Sequence, residues 1–167
     1  TIRFIEGNDK VRNFIFRKYL DYFDDKEIVV LNEEVRRQFS ESNPKESALI
    51  SELDGIVGEP IWDHSLSPNN CITIQNNHII ELVLRGVNLE EIPAAIWGLT
   101  ELKVLNLRNN EIKMIPDEIG SLKKLKEFHL RHNQISYISE NIGMLKDLEI
   151  LELKSNLLTS LPSDLNE

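Results

Sequence analysis

From Ile79 to Glu167 the apolar positions recur at steps of 23 residues. Ile79, Leu102, Leu125 and Leu148 head the first column, followed by Leu82, Leu105, Phe128 and Leu151, then by Leu84, Leu107, Leu130 and Leu153. Leu89, Ile112, Ile135 and Leu158 form the fourth column, and Ile92, Ile115, Ile138 and Leu161 the fifth. Ile96, Ile119, Ile142 and Leu165 follow, and Leu99, Leu122 and Leu145 close the unit. Two further columns run between them: Asn110, Asn133 and Asn156, with Val87 in the first slot, and Pro93, Pro116 and Pro162, with Ser139 in the third. Self-similarity at such a period predicts a solenoid, in which each unit buries its apolar face only against its neighbours.

Each column has a physical task. Alternating Leu-x-Leu predicts a short strand with one buried face, and strands from successive units stack as a parallel sheet. Where the chain bends inward after the strand, its backbone polar groups need partners, and a buried Asn amide supplies both donor and acceptor. That is the task expected of Asn110, Asn133 and Asn156, and Val87 cannot perform it. Proline fixes φ at the next corner, after which the Ile-x-x-Leu spacing predicts a short helical turn on the convex side. Ser139 is expected to loosen its corner.

These columns resemble the leucine-rich repeat in its 23-residue form, LxxLxLxxNxLxxIPxxIxxLxx, over residues 79–167. The resemblance implies an α/β solenoid with short parallel strands lining the concave side and irregular or short helical segments on the convex side. It also implies a protein-binding role, with partners of many kinds.

Upstream the pattern changes. Val11, Phe14, Ile15, Tyr19, Tyr22 and Phe23 share one face of a helix begun by Asn8 or Asp9. Ile28, Leu31, Val35 and Phe39 suit a second helix, although Ile28–Leu31 also reads as a buried strand. Residues 1–42 thus form a mainly helical region that ends in a polar break at 40–43. Asn43-Pro44-Lys45-Glu46 then joins a cap residue, a proline at the first helical position and a glutamate three after the cap. Leu49, Ile50, Leu53, Ile56 and Val57 continue that helix and Gly58 stops it. Pro60 to Asn70 reads as a loop anchored by Trp62. Cys71–Gln75 and His78–Leu84 pair as a hairpin through Asn76-Asn77, so residues 43–78 cap the first edge of the array. The string Gln75 to Leu82 is similar to the flank preceding the repeats in some archaeal and bacterial leucine-rich-repeat proteins. At the other end no capping helix follows Leu165, so the natural protein is expected to continue, with self-association through this bare edge or fraying of the end as the alternatives.

Composition acts mainly by exclusion. A net charge of −9 argues against generic binding to nucleic acid or to an anionic membrane. No apolar run approaches the roughly 20 residues that span a bilayer. The single cysteine, Cys71, leaves no intramolecular disulfide framework, and a reducing, cytoplasmic setting is the default expectation. Glycine-rich phosphate loops, nucleophile elbows and paired-cysteine zinc sites are missing from the sequence, so neither catalytic residues nor cofactors are expected. His129-x-x-His132 lacks a third metal ligand, and Cys71 has the place of a small buried filler.

Function is therefore sought among the residues that flank the core leucines on the strands. One outward column reads Arg85, Arg108, Arg131 and Lys154, a row of cations whose mutual repulsion makes chance occurrence uncommon. Beside it run Val83, Asn106, His129 and Glu152, and then Glu81, Val104, Glu127 and Ile150. The basic row is expected to dock acidic or phosphorylated segments of another protein, with Val83, Val104 and Ile150 as a less polar centre. The alternative is a solvated face closed by internal Arg–Glu pairs. At the level of the whole protein the leading expectation is a non-catalytic scaffold. The alternatives are a recognition part of a larger GTPase, kinase or ligase, and a self-assembling structural protein.

Overall fold

A computed structural model describes residues 37–58 and 70–165. The expected helix 9–23, the Ile28–Leu31 run and the loop around Trp62 lie outside the described residues. Residues 37–42 are helical and lead into helix α1, Pro44–Val57, so the polar break narrows to Asn43 alone. Asn43 caps α1, its Oδ1 accepting from Glu46 N at 3.2 Å, and Gly58 ends the helix at φ +79°.

Strands β1 (Asn70–Gln75) and β2 (His78–Leu84) pair antiparallel through Asn76 and Asn77, whose φ of 50° and 63° form the tight turn. From β2 the sheet continues in parallel through β3 (Val104–Asn106), β5 (Glu127–His129) and β7 (Ile150–Glu152). Its register joins Leu82 to Leu105, Phe128 and Leu151, the second column of the sequence pattern. On the return path β4 (Met114–Ile115) and β6 (Tyr137–Ile138) form a small second sheet. Short 3-10 turns at Ala94–Gly98, Asp117–Ser121, Glu140–Met144 and Ser163–Leu165 supply the convex side.

The core is one continuous stack. Ile79, Leu82, Leu84, Leu105, Leu107, Phe128 and Leu130 are all fully buried, and Phe39, with Ile50 and Leu53 of α1, joins the same cluster. Helix α1 rests on the first 3-10 turn so closely that a Cβ on Gly98 would lie 2.7 Å from Leu49 Cδ1.

The asparagine ladder works across units. Each Nδ2 donates to the carbonyl three residues back and to its equivalent in the preceding unit, as Asn133 does to Leu130 O at 3.0 Å and Leu107 O at 2.9 Å. Each Oδ1 accepts a backbone N–H of the preceding unit, as Asn133 does from Ile112 N at 3.1 Å. This explains how the first turn tolerates Val87: Asn110 Oδ1 accepts from Val87 N at 3.1 Å and from Leu89 N at 3.2 Å.

Ser139 does the reverse of loosening its corner. It is buried, its Oγ accepts from Asn141 N at 3.1 Å and bonds Asp117 Oδ1, and its N–H donates to Ile115 O at 3.0 Å. A proline in this slot could make none of these bonds.

Candidate functional site

The concave face is built from the outward side chains of β2, β3, β5 and β7, with neighbouring rungs about 4.8 Å apart. Pairing places Glu81, Val104, Glu127 and Ile150 in one row and Val83, Asn106, His129 and Glu152 in the next. Arg85, Arg108, Arg131 and Lys154 come two residues further on, where the strands end.

The basic row is not four equivalent cations. Arg108 reaches across β5 to Glu152, its Nε donating to Oε2 at 3.0 Å and its Nη2 bonding the same oxygen. His129 lies between them, with Nδ1 2.8 Å from Glu152 Oε2 and Nε2 3.0 Å from Glu127 Oε2. Each ring nitrogen thus faces a carboxylate oxygen, and Arg108 Nη2 also lies 3.3 Å from His129 Nδ1. At Arg108 the internal Arg–Glu pairing weighed from the sequence is therefore realised. Arg131 and Lys154 have no ion-pair partner among the described residues.

Two other positions depart from expectation. Val83 is only 9% exposed, beside its cross-strand partner Cys71, so it is withdrawn from the exposed face. Val104 is half-buried and Ile150 is 42% exposed, so the accessible apolar surface lies in the first row. Cys71 is buried, as expected of a filler. His132 is exposed and separate from the His129 network, and no cluster able to hold a metal ion occurs among the described residues. No described helix is long and apolar enough to cross a membrane.

One feature escaped sequence reasoning. The residue after each cation, Gly86, Asn109, His132 or Ser155, is left-handed with φ between 58° and 68°. Gly and Asn adopt this region readily and offered the only hint, because His and Ser do so less often. This turn sends Gly86 N to Arg108 O at 3.2 Å, Asn109 N to Arg131 O at 3.0 Å and His132 N to Lys154 O at 3.1 Å. Three arginines, Asn109 and His132 surround a shallow depression of about 290 Å³ beside this turn.

Arg108, and after it His129, hold the Glu152 carboxyl below its ordinary 4.5. A carboxylate with a depressed folded-state pKa adds stability above its unfolded value, and that contribution disappears as pH falls through the folded value. The melting temperature of Glu152→Gln should therefore fall less than that of the wild-type chain between pH 5 and pH 3. Parallel thermal melts check this, and identical slopes would show that the carboxylate is solvated.

The sequence profile "Leucine rich repeat" matches residues 77–135 and, one unit later, 100–158. No curated protein matches the chain significantly. Among solved structures, the leucine-rich-repeat ectodomain of the receptor kinase SOBIR1 from Arabidopsis thaliana is 27% identical with a TM-score of 0.53, covering 67% of each chain. A leucine-rich-repeat protein from Leptospira interrogans is 38% identical with a TM-score of 0.45, over 46% of this chain and 20% of that one. A plant ice-binding protein, 24% identical, aligns over 74% of this chain and 44% of its own length with a TM-score of 0.60. The chain thus spans a fifth of the Leptospira protein and two thirds of the Arabidopsis ectodomain.

Proposed function

This chain is a leucine-rich-repeat protein, and from that premise we propose that it is a non-catalytic scaffold whose concave face binds another protein. The repeat family and the likeness to a receptor ectodomain support protein binding in general. The observation that carries the concave face is its makeup: Ile150 is exposed on it, Val104 lies partly open two strands away, and polar and charged side chains frame both. An accessible apolar centre inside a polar frame is the anatomy of a contact patch. The buried columns are already accounted for by packing.

Photo-crosslinking tests the reading. A benzoylphenylalanine at Ile150 or at Asn106 should yield one adduct of common mass in lysate of the source cell, whereas the same group at Glu118, exposed on the convex 3-10 turn, should not. Adducts from Glu118 alone would move the binding surface to the convex side.

A second reading, a recognition part within a larger multidomain protein, draws on the likeness to a receptor kinase ectodomain. An antibody against the repeats should then detect a cellular protein well above 19.3 kDa.

A further inference from the structure

We propose that the depression bounded by Arg85, Arg108, Arg131, Asn109 and His132 is an oxyanion subsite that takes the carboxylate or phosphate of an acidic side chain on the protein partner. The inference rests on the protein-binding reading and adds the chemical class of what is recognised.

Charge singles out this place. The chain carries a net −9, yet no carboxylate lines the depression among the described residues. Cations stacked on successive rungs repel one another, and the protein relieves this at Arg108 by turning its guanidinium to Glu152. Arg131 receives no such relief, having no ion-pair partner among the described residues while being half-buried. An oxyanion on its guanidinium would replace that repulsion with a bidentate, charge-assisted contact.

Backbone geometry fixes how the anion is held. The N–H groups of Gly86, Asn109 and His132 already donate to the carbonyls of the next unit. They are therefore not offered to a ligand, and the site is not an amide nest of the kind that binds phosphate at loop–helix junctions. The donors are side chains, the Arg131 guanidinium foremost, with the exposed His132 imidazole at the rim. Recognition by charged side chains at a surface is salt-sensitive. In an acidic protein such a spot also orients the approach of an acidic partner, because the rest of the surface repels it.

The test is NMR titration of the whole chain with N-acetyl-phosphoserine amide, N-acetyl-glutamate amide and neutral N-acetyl-glutamine amide. Both anions should shift the Arg131 Nε–H and the His132 amide saturably, and the neutral probe should not. Tighter binding of phosphoserine would identify phosphate as the natural group, and equal binding would show that a carboxylate suffices. Arg131→Gln should weaken binding about ten-fold, the loss of one charged pair, with its amide spectrum reporting an intact fold. Glu152→Gln, which removes the neighbouring anion, should tighten binding, a gain that misfolding cannot imitate. The subsite is overturned if the shifts do not saturate, if the neutral probe matches the anions, or if both variants leave the affinity unchanged. Crosslinks from Ile150 and Asn106 that persist in such a case leave the protein-binding reading standing without the subsite.

Discussion

Asn133→Ala should destabilise the protein by about 2 kcal/mol, within the roughly 1–3 kcal/mol cost of a stranded buried group, since the buried Ile112 N–H loses its partner while Leu107 O and Leu130 O each lose one of two donors and keep Asn110 Nδ2 and Asn156 Nδ2. The Asn133 amide is buried, and the groups it serves belong to Ile112, Leu107 and Leu130, all of them fully buried. Chemical denaturation of wild type and variant measures the difference. Asn133→Asp should be no better, because the carboxylate keeps the acceptor facing Ile112 N but turns oxygen toward two carbonyls. Asn156 makes the same three bonds in the half-exposed last turn, to Leu130 O, Leu153 O and Ile135 N. Asn156→Ala should therefore cost only about 1 kcal/mol, as solvent takes over part of the work. Equal losses at the two positions would mean that burial does not set the value of the ladder.

The same contrast explains what could be read from the sequence. Columns that repeat every 23 residues carry constraints on packing, so the strands, the asparagine ladder and the convex turns were legible from Leu, Asn and Pro spacing alone. Contacts that join different columns left no such trace. Nothing in the row Val83, Asn106, His129, Glu152 says that Arg108 will cross β5 to Glu152, because the pairing depends on side-chain reach within a register that only the fold supplies. Ser139 misled for a related reason. Read as a missing proline it predicted looseness, but the freed N–H and the hydroxyl both found partners, Ile115 O and Asp117. Val83 occupies an outward strand position and is nevertheless buried.

Glu46→Ala should be the most damaging change in α1, about 3 kcal/mol for two charge-assisted bonds and a stranded buried N–H. A glutamate three residues after an N-cap ordinarily turns back to the cap's own N–H. Here Asn43 N donates instead to Phe39 O at 2.7 Å, which frees the Glu46 side chain. It reaches the first repeat strand, where Oε2 accepts from Ile79 N at 2.7 Å and Oε1 lies 2.7 Å from His78 Nδ1. Glu46 is almost completely buried, 6% exposed, and Ile79 is fully buried, so loss of the carboxylate leaves the Ile79 N–H without a partner inside the protein. Ile79 is fully buried beside the irregularity at Thr73–Ile74 in the hairpin register, a place where strand pairing is disturbed. Glu46 thereby fastens α1 to the hairpin that shields the first edge of the array, together with the bond from Asn43 Nδ2 to Asn77 O at 2.7 Å. Glu46→Gln keeps an acceptor for Ile79 N but loses the charge, and should fall midway. Hydrogen exchange locates the effect: in Glu46→Ala the Ile79 amide should lose protection before Leu105 and Phe128 do, because the array opens from its unfastened end. Uniform loss along all units would instead mean that cap and repeats unfold as a single cooperative body, with Glu46 contributing to the whole and not to its edge.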